Sequence, residues 1–146
     1  MFLDTTTLFD SRIKLVLFET HERDLKKDWS ASYVFEVQLL DGTKIGHCDL
    51  RLDHLDSIYI AGNIGYEIDE RFWNQNYATD AVKLLIKLAK MHEMEYVTIT
   101  CQENNFASNK VAKKCGFKFI EKTSIPKRHQ MYLEGLREVM IYQLVL

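Results

Sequence analysis

Residues 70–81, ERFWNQNYATDA, carry the types and spacing that could do chemistry. An amphipathic helix opens at the end of this stretch. The first amides of a helix lack intrahelical partners, and the helix dipole adds partial positive charge, so such a turn can hold an anion. To do so the chain must bend until successive N–H groups converge, which calls for positive φ. Glycine adopts positive φ freely; asparagine is next best, because its short polar side chain tolerates the left-handed region. This stretch has no glycine. It offers Asn74 and Asn76, two apart, with Arg71 upstream. The chemistry would be retention of a phosphate or pyrophosphate. The residues alone also fit a plainer role, with Asn76 as an ordinary helix cap.

Other reactive side chains form no set. His21, His47, His54, His92 and His129 do not pair at ligand spacing with each other, with cysteine or with carboxylates, so no metal is expected. Cys48, Cys101 and Cys115 have no Cys-x-x-Cys spacing and lie in apolar stretches, which reads as buried, reduced thiols. Neither Cys101 nor Cys115 sits in a motif that would make it a nucleophile.

The elements that must position the 70–81 turn are legible from hydrophobic period. RIKLVLF, from Arg12, and YVFEVQLL, from Tyr33, alternate as strands; Asp41-Gly42 marks a hairpin turn into KIGHCDLRL. Between the first two strands, HERDLKKDWSAS reads as a loop or one or two helical turns. The polar DHLDS leads through Ile58 and Ile60 to Gly62-Asn63 and the strand IGYEI. From Tyr77 the apolar residues Ala78, Ala81, Val82, Leu85, Leu88 and Ala89 recur at helical spacing. YVTITC follows as a strand, expected parallel to IGYEI through a right-handed crossover. A second helix starts near Asn105 or Phe106, with Gly116 past its end. FKFIEK and REVMIYQLVL close the chain as strands. With 146 residues, one proline and no linker or repeat, the expectation is a single α/β domain over residues 1–146.

Composition narrows the class. Hydrophobic residues make up 47% and charged residues 27%, and the formal net charge is -2, so nothing favours nucleic acid or an anionic membrane surface. The opening MFLDTTTLFDSR lacks a secretory pattern, and no apolar run approaches a membrane span. A cytoplasmic location is expected.

Two segments together resemble the central part of a GNAT (Gcn5-related) acetyltransferase of the RimJ/RimL-like type. One is IGYEIDERFWNQNYATDAVKLLIKLA; the other is VTITCQENNFASNKVAKKCGF. The family carries Arg/Gln-x-x-Gly-x-Gly/Ala, often followed by Tyr-Ala-Thr. Here this becomes Arg71-Phe72-Trp73-Asn74-Gln75-Asn76-Tyr77-Ala78-Thr79, with asparagine at both glycine positions. The family also carries Asn-x-x-Ser before a helix ending in Gly-Phe, here Asn105 to Ser108 and Gly116-Phe117. The resemblance covers about residues 30 to 146.

The resemblance implies a GNAT fold: a central mixed, mostly antiparallel β-sheet flanked by helices, with a βαβ acetyl-CoA-binding core. It implies that backbone amides of Asn74, Gln75, Asn76, Tyr77, Ala78 and Thr79 hold the pyrophosphate, helped by Arg71. Ile68 and Asp69 would pair with the pantetheine, and Asn105 would bond one of its amides. Lys110, Lys113 and Lys114 could approach the phosphates, or simply form a solvated helix face. Glu67 lies where many members place a general base, and also reads as a solvated strand carboxylate. The tyrosine that often protonates the leaving thiolate would fall at Ala112, which cannot do so. Ser108 is a candidate in its place, or a cap. Tyr132, in the C-terminal HQMYLEG, is a further candidate, or a core tyrosine. The implied function is acetyl transfer from acetyl-CoA to a primary amine, on a small molecule or a peptide N-terminus, by direct attack. The alternative is a non-catalytic acyl-CoA-binding module with a degenerate loop. Relatives usually carry two helices between the first two strands. Their absence here leaves an acceptor site that is open, or completed by a second subunit in a homodimer.

Overall fold

The computed structural model describes all 146 residues. Strands β1 (Ile13–His21), β2 (Ser32–Leu39), β3 (Lys44–Arg51) and β4 (Ile64–Ile68) form an antiparallel sheet in that order. The β2–β3 turn uses Gly42 at φ 95, and Asp41 accepts the Thr43 N–H at 2.9 Å. Strand alternation divides this sheet into two unlike faces. Tyr33, Phe35, Val37, Cys48 and Leu50 point inward and are buried. The other face carries the ion pairs Lys44–Glu36 (3.9 Å), Arg51–Asp49 (3.2 Å) and His47–Glu67 (3.5 Å). A face so polar needs no covering layer. The segment between β1 and β2 accordingly makes only a single 3-10 turn, Leu25–Lys27, and no helix lies over the sheet there.

The second sheet is β5 (Tyr96–Cys101), β6 (Lys118–Ser124) and β7 (Glu138–Val145), with β7 in the middle and both pairings antiparallel. Four helices connect the strands: α1 (Asp56–Ala61), α2 (Tyr77–Met91), α3 (Phe106–Lys114) and α4 (Gln130–Leu133). α2 buries Ala81, Val82, Leu85, Leu88 and Ala89 in the same cluster as Leu15, Phe35 and Ile64 of the first sheet and Val97 and Ile99 of the second. Each fully buried leucine there is worth about 1.5–3 kcal/mol, which makes α2 the main tie between the sheets. No helix is long and apolar enough to cross a membrane.

One expectation is corrected, and one segment that the sequence left without an element proves helical. The parallel ladder expected between IGYEI and YVTITC does not form: β4 and β5 belong to different sheets. They meet at fully buried Asn63. Its N–H donates to Thr98 O (3.0 Å), and its Oδ1 accepts from the Thr98 N–H (3.0 Å) and Thr98 hydroxyl (3.1 Å). Its Nδ2 donates to Arg51 O at 2.9 Å. One side chain thus stands in for a ladder rung, and beyond it the strands separate. The segment through Ile58 and Ile60 is helical, as α1. Asp56 complements the dipole in its first turn. Gly62, at φ 88, ends it and returns its N–H to Ile58 O at 2.6 Å. A Cβ at Gly62 would lie 3.2 Å from Thr100 N and 3.3 Å from Thr98 O, so β5 can approach only a glycine.

Candidate functional site

Where β4 leaves β5, the chain runs through a 3-10 turn, Glu70–Phe72, into α2. Asn74 (φ 63) and Asn76 (φ 65) both occupy the left-handed region. Asn76 is the N-cap of α2 but makes no side-chain capping bond, so the turn is shaped by backbone conformation and the first amides are left to other partners.

Side chains brace this loop from three directions. The Trp73 indole N–H donates to Ile68 O at 2.6 Å, closing the loop on the end of β4. Asp69 N–H returns to Ile45 O at 2.8 Å, anchoring the same end to β3. Arg12, ahead of β1, donates to Gln75 O at 2.5 Å, pairs with Asp80 at 3.3 Å and lies 4.3 Å over the Tyr77 ring. Lys114, at the end of α3, donates to Asn76 Oδ1 at 2.6 Å, which brings a cation to the loop. Arg71 lies 5.8 Å over the Phe72 ring, and Phe72 meets Tyr77 edge-on at 6.4 Å. Ala78 is half-buried, and Thr79 is buried in the first turn of α2, with Cys115 Sγ 3.9 Å from its carbonyl.

On the other side of the opening, Asn105 caps α3: its Oδ1 accepts the Ser108 N–H at 3.1 Å, leaving its amide NH2 free of the cap. Ser108 Oγ accepts the Tyr66 hydroxyl at 3.2 Å, a bond from β4 to α3. Glu67 sits on the polar face of β4, 76% exposed, paired with His47. Tyr132 lies in α4, packed on a separate cluster of Ile60, Ile125, Val139 and Ile141, with Arg137 3.8 Å over its ring. α3 thus reaches the loop through the Lys114–Asn76 bond and β4 through the Ser108–Tyr66 bond. No hydrogen bond joins Glu67 or Tyr132 to these residues.

The cysteines are free. Burial pushes the Cys101 thiol up to about 11 and raises Cys48 and Cys115 as well, so all three stay protonated near neutrality. Spacing alone missed Arg12 and Tyr66. Arg12 carries no local signal, being 63 residues from its loop partner. Tyr66 is visible only as an apolar-face position in IGYEI.

The family model described as "Acetyltransferase (GNAT) domain" matches residues 8–118. No curated protein matches the chain. Among solved structures, the chain is similar to an acetyltransferase of Salmonella typhimurium that modifies the N-terminal serine of 50S ribosomal subunit protein L7/L12. The identity is 20%, the TM-score 0.60, and the match covers 83% of this chain and 66% of that one. It is similar to RimL, a ribosomal L7/L12 alpha-N-protein acetyltransferase, in complex with coenzyme A (20%, TM-score 0.61, 79% and 62%). It is also similar to the microcin C7 self-immunity acetyltransferase MccE in complex with acetyl-CoA and AMP (21%, TM-score 0.61, 79% and 61%). The chain thus spans less than two thirds of the length of each, and identities this low speak to fold. With the family model matched over most of its length, the chain belongs to the GNAT acetyltransferase domain family.

Proposed function

We propose that this protein, acting as one domain over residues 1–146, transfers the acetyl group of acetyl-CoA to a primary amine by direct attack. The observation that carries the reading is the loop into α2, where Asn74 and Asn76 take the left-handed conformations that a pyrophosphate cradle needs. A loop that had merely decayed from glycine would have no reason to keep them, which supports a loop that still holds the cofactor; turnover separates catalysis from the non-catalytic alternative, which would bind acetyl-CoA as well.

The residues fit the cofactor. Amides of Asn74, Gln75, Asn76, Tyr77, Ala78 and Thr79 at the start of a 15-residue helix would hold the pyrophosphate, with Arg71 and Lys114 supplying positive charge. Ile68, Asp69 and Asn105 would meet the pantetheine arm. Bound acetyl-CoA supplies the activated acetyl group. Glu67, exposed beside His47, would take the proton from the attacking amine, and Ser108 would offer its hydroxyl to the leaving sulfur. Tyr132, the further catalytic candidate, packs on a separate cluster beside Arg137 and takes no step in this mechanism. Direct attack suits the protonated cysteines, none of which is poised to carry an acyl group. No metal, nucleic acid or membrane enters the mechanism, and the inferred setting is the cytoplasm.

The favoured acceptor is a peptide N-terminus, the substrate named for RimL and the Salmonella enzyme. The test begins with thermal stability in acetyl-CoA. Binding to the native state alone adds about 2.7 kcal/mol at a hundredfold excess over Kd. Peptides with free N-termini and polyamines are then compared as acceptors. Binding with peptide acetylation is the expected result. Preferred turnover of polyamines would move the acceptor to small amines. Binding without turnover on either would favour the non-catalytic module, and no binding would remove the reading altogether.

A further inference from the structure

Tyr66 projects from β4 to α3, and its hydroxyl donates to Ser108 Oγ at 3.2 Å. This bond spans the opening between the two sheets: β4 belongs to the first, and α3 follows directly from β5 of the second. Ser108 is thereby committed on two sides. Its N–H goes to Asn105 Oδ1, and one oxygen lone pair goes to Tyr66. Its own O–H finds no acceptor in the chain and, with Ser108 only half-buried, is open to solvent or a ligand. A hydroxyl that accepts one hydrogen bond donates the next more strongly, so Tyr66 sharpens Ser108 as a donor.

We propose that Tyr66 is the proton source behind Ser108, making the two hydroxyls a relay to the leaving sulfur. The inference rests on the acetyl-transfer reading. As the amine nitrogen bonds to the acetyl carbon, the C–S bond breaks and its electron pair goes to sulfur. The sulfur takes the Ser108 proton, Ser108 takes the Tyr66 proton, and water later reprotonates the phenolate. The reason is acid strength. Ser108 alone would be left as an alkoxide, a far stronger base than a phenolate, whose parent phenol titrates near about 10. Ending the charge on Tyr66 makes the transfer accessible. Burial raises the Tyr66 pKa, against a smaller opposing effect of the Ser108 bond; this keeps the phenol protonated at neutral pH and makes it a weaker acid than a free phenol, yet still a far stronger one than an alcohol. The titratable groups facing it are the Cys101 and Cys115 thiols, themselves held protonated by burial.

Tyr66→Phe keeps the ring and its packing and removes only the relay. Acetyl transfer is measured for wild type, Tyr66→Phe, Ser108→Ala, Ser108→Thr and the Tyr66→Phe/Ser108→Ala double variant. Alongside turnover, the thiol pKa of bound product CoA is read from thiolate absorbance. The relay predicts a kcat loss of roughly 10²-fold in Tyr66→Phe, with KM for acetyl-CoA nearly unchanged. It predicts a double variant no worse than Ser108→Ala, retained activity in Ser108→Thr, and a higher bound-thiol pKa in Tyr66→Phe than in wild type. Wild-type kcat and thiol pKa in Tyr66→Phe, or losses that multiply in the double variant, would overturn the relay while leaving acetyl transfer intact. Wild type that neither binds acetyl-CoA nor turns over removes both.

Discussion

A non-glycine residue at left-handed φ costs on the order of 1 kcal/mol. Asn76 offsets part of that through the Lys114 bond to its side chain, and Asn74 sits one residue from the Gln75 carbonyl that Arg12 holds. The asparagines are therefore braced as well as tolerated. Asn76→Gly is expected to leave stability within roughly 1 kcal/mol, since relief of strain and loss of the Lys114 bond oppose each other. Asn76→Val should weaken acetyl-CoA binding about tenfold or more, because a β-branched residue resists positive φ. Isothermal calorimetry on both variants checks this; equal affinity in both would mean the loop conformation does not matter to the ligand. At this scale much was readable in advance. The pair of asparagines and the helix start at Tyr77 follow from residue type and short spacing; that Asn105 rather than Asn76 makes the side-chain capping bond does not. The Trp73 lock on Ile68 O was not, since an indole N–H gives no sign in sequence of which carbonyl it will reach.

Elements inform one another through a few long-range side chains. Arg12 belongs to the approach to β1 yet makes three contacts with the loop and first turn of α2. Because it is 40% exposed and its contacts are polar, its loss should cost little global stability. Arg12→Ala is expected to loosen the loop and reduce acetyl-CoA affinity several-fold, on the order of 1 kcal/mol, with Tm almost unchanged. A binding titration beside a melting curve separates the two. Asp53 performs a similar task between β3 and the start of β2, accepting from Ala31 N–H (2.8 Å), the Ser30 hydroxyl (3.1 Å) and Arg23 (2.8 Å). Burial alone would raise its pKa, but Arg23 and these donors together hold it below the usual carboxylate range. A lowered folded pKa means stability that is present above the unfolded value and lost as pH falls through the folded one. Acidification from about pH 5 to about pH 2 should therefore cost the wild type more stability than Asp53→Asn, read as shifts in urea midpoint. Matching shifts would place the acid sensitivity elsewhere. The strands and long helices were legible from their periods. The helical state of residues 56–61 was not, because Ile58 and Ile60 alternate like a strand and only packing on β5 and β7 makes them a helix.

For the whole molecule, the decisive feature is that two sheets share a core under α2 but join strand to strand only around Asn63. Asn63→Ala would leave the Thr98 N–H and the Arg51 carbonyl short of partners in a buried site. It is expected to destabilise by about 2–4 kcal/mol, since each unsatisfied group costs roughly 1–3 kcal/mol. Chemical denaturation measures this, and a change under about 0.5 kcal/mol, the scale of an ordinary surface substitution, would mean the junction is not the tie it looks to be. The polar outer face of the first sheet is also a whole-molecule property. Its ion pairs leave a largely polar surface where β1 passes to β2 through ten residues with no covering helix.

Sequence by itself determined what depends on neighbours within a few residues: strand alternation, helical stripes, the Asp-Gly hairpin, and the choice of asparagine where the backbone must turn left-handed. These are local because φ/ψ preference and side-chain period act over one or two turns of chain. Tertiary structure alone decided which polar groups meet across the opening. Arg12 reaches Gln75 over 63 residues, Tyr66 reaches Ser108 over 42, and Asn63 reaches Thr98 over 35. Such pairs carry no periodic signature. They exist because α2 packs the two sheets into one core at one spacing, and that spacing is set by the sum of many apolar contacts rather than by any residue in the pair.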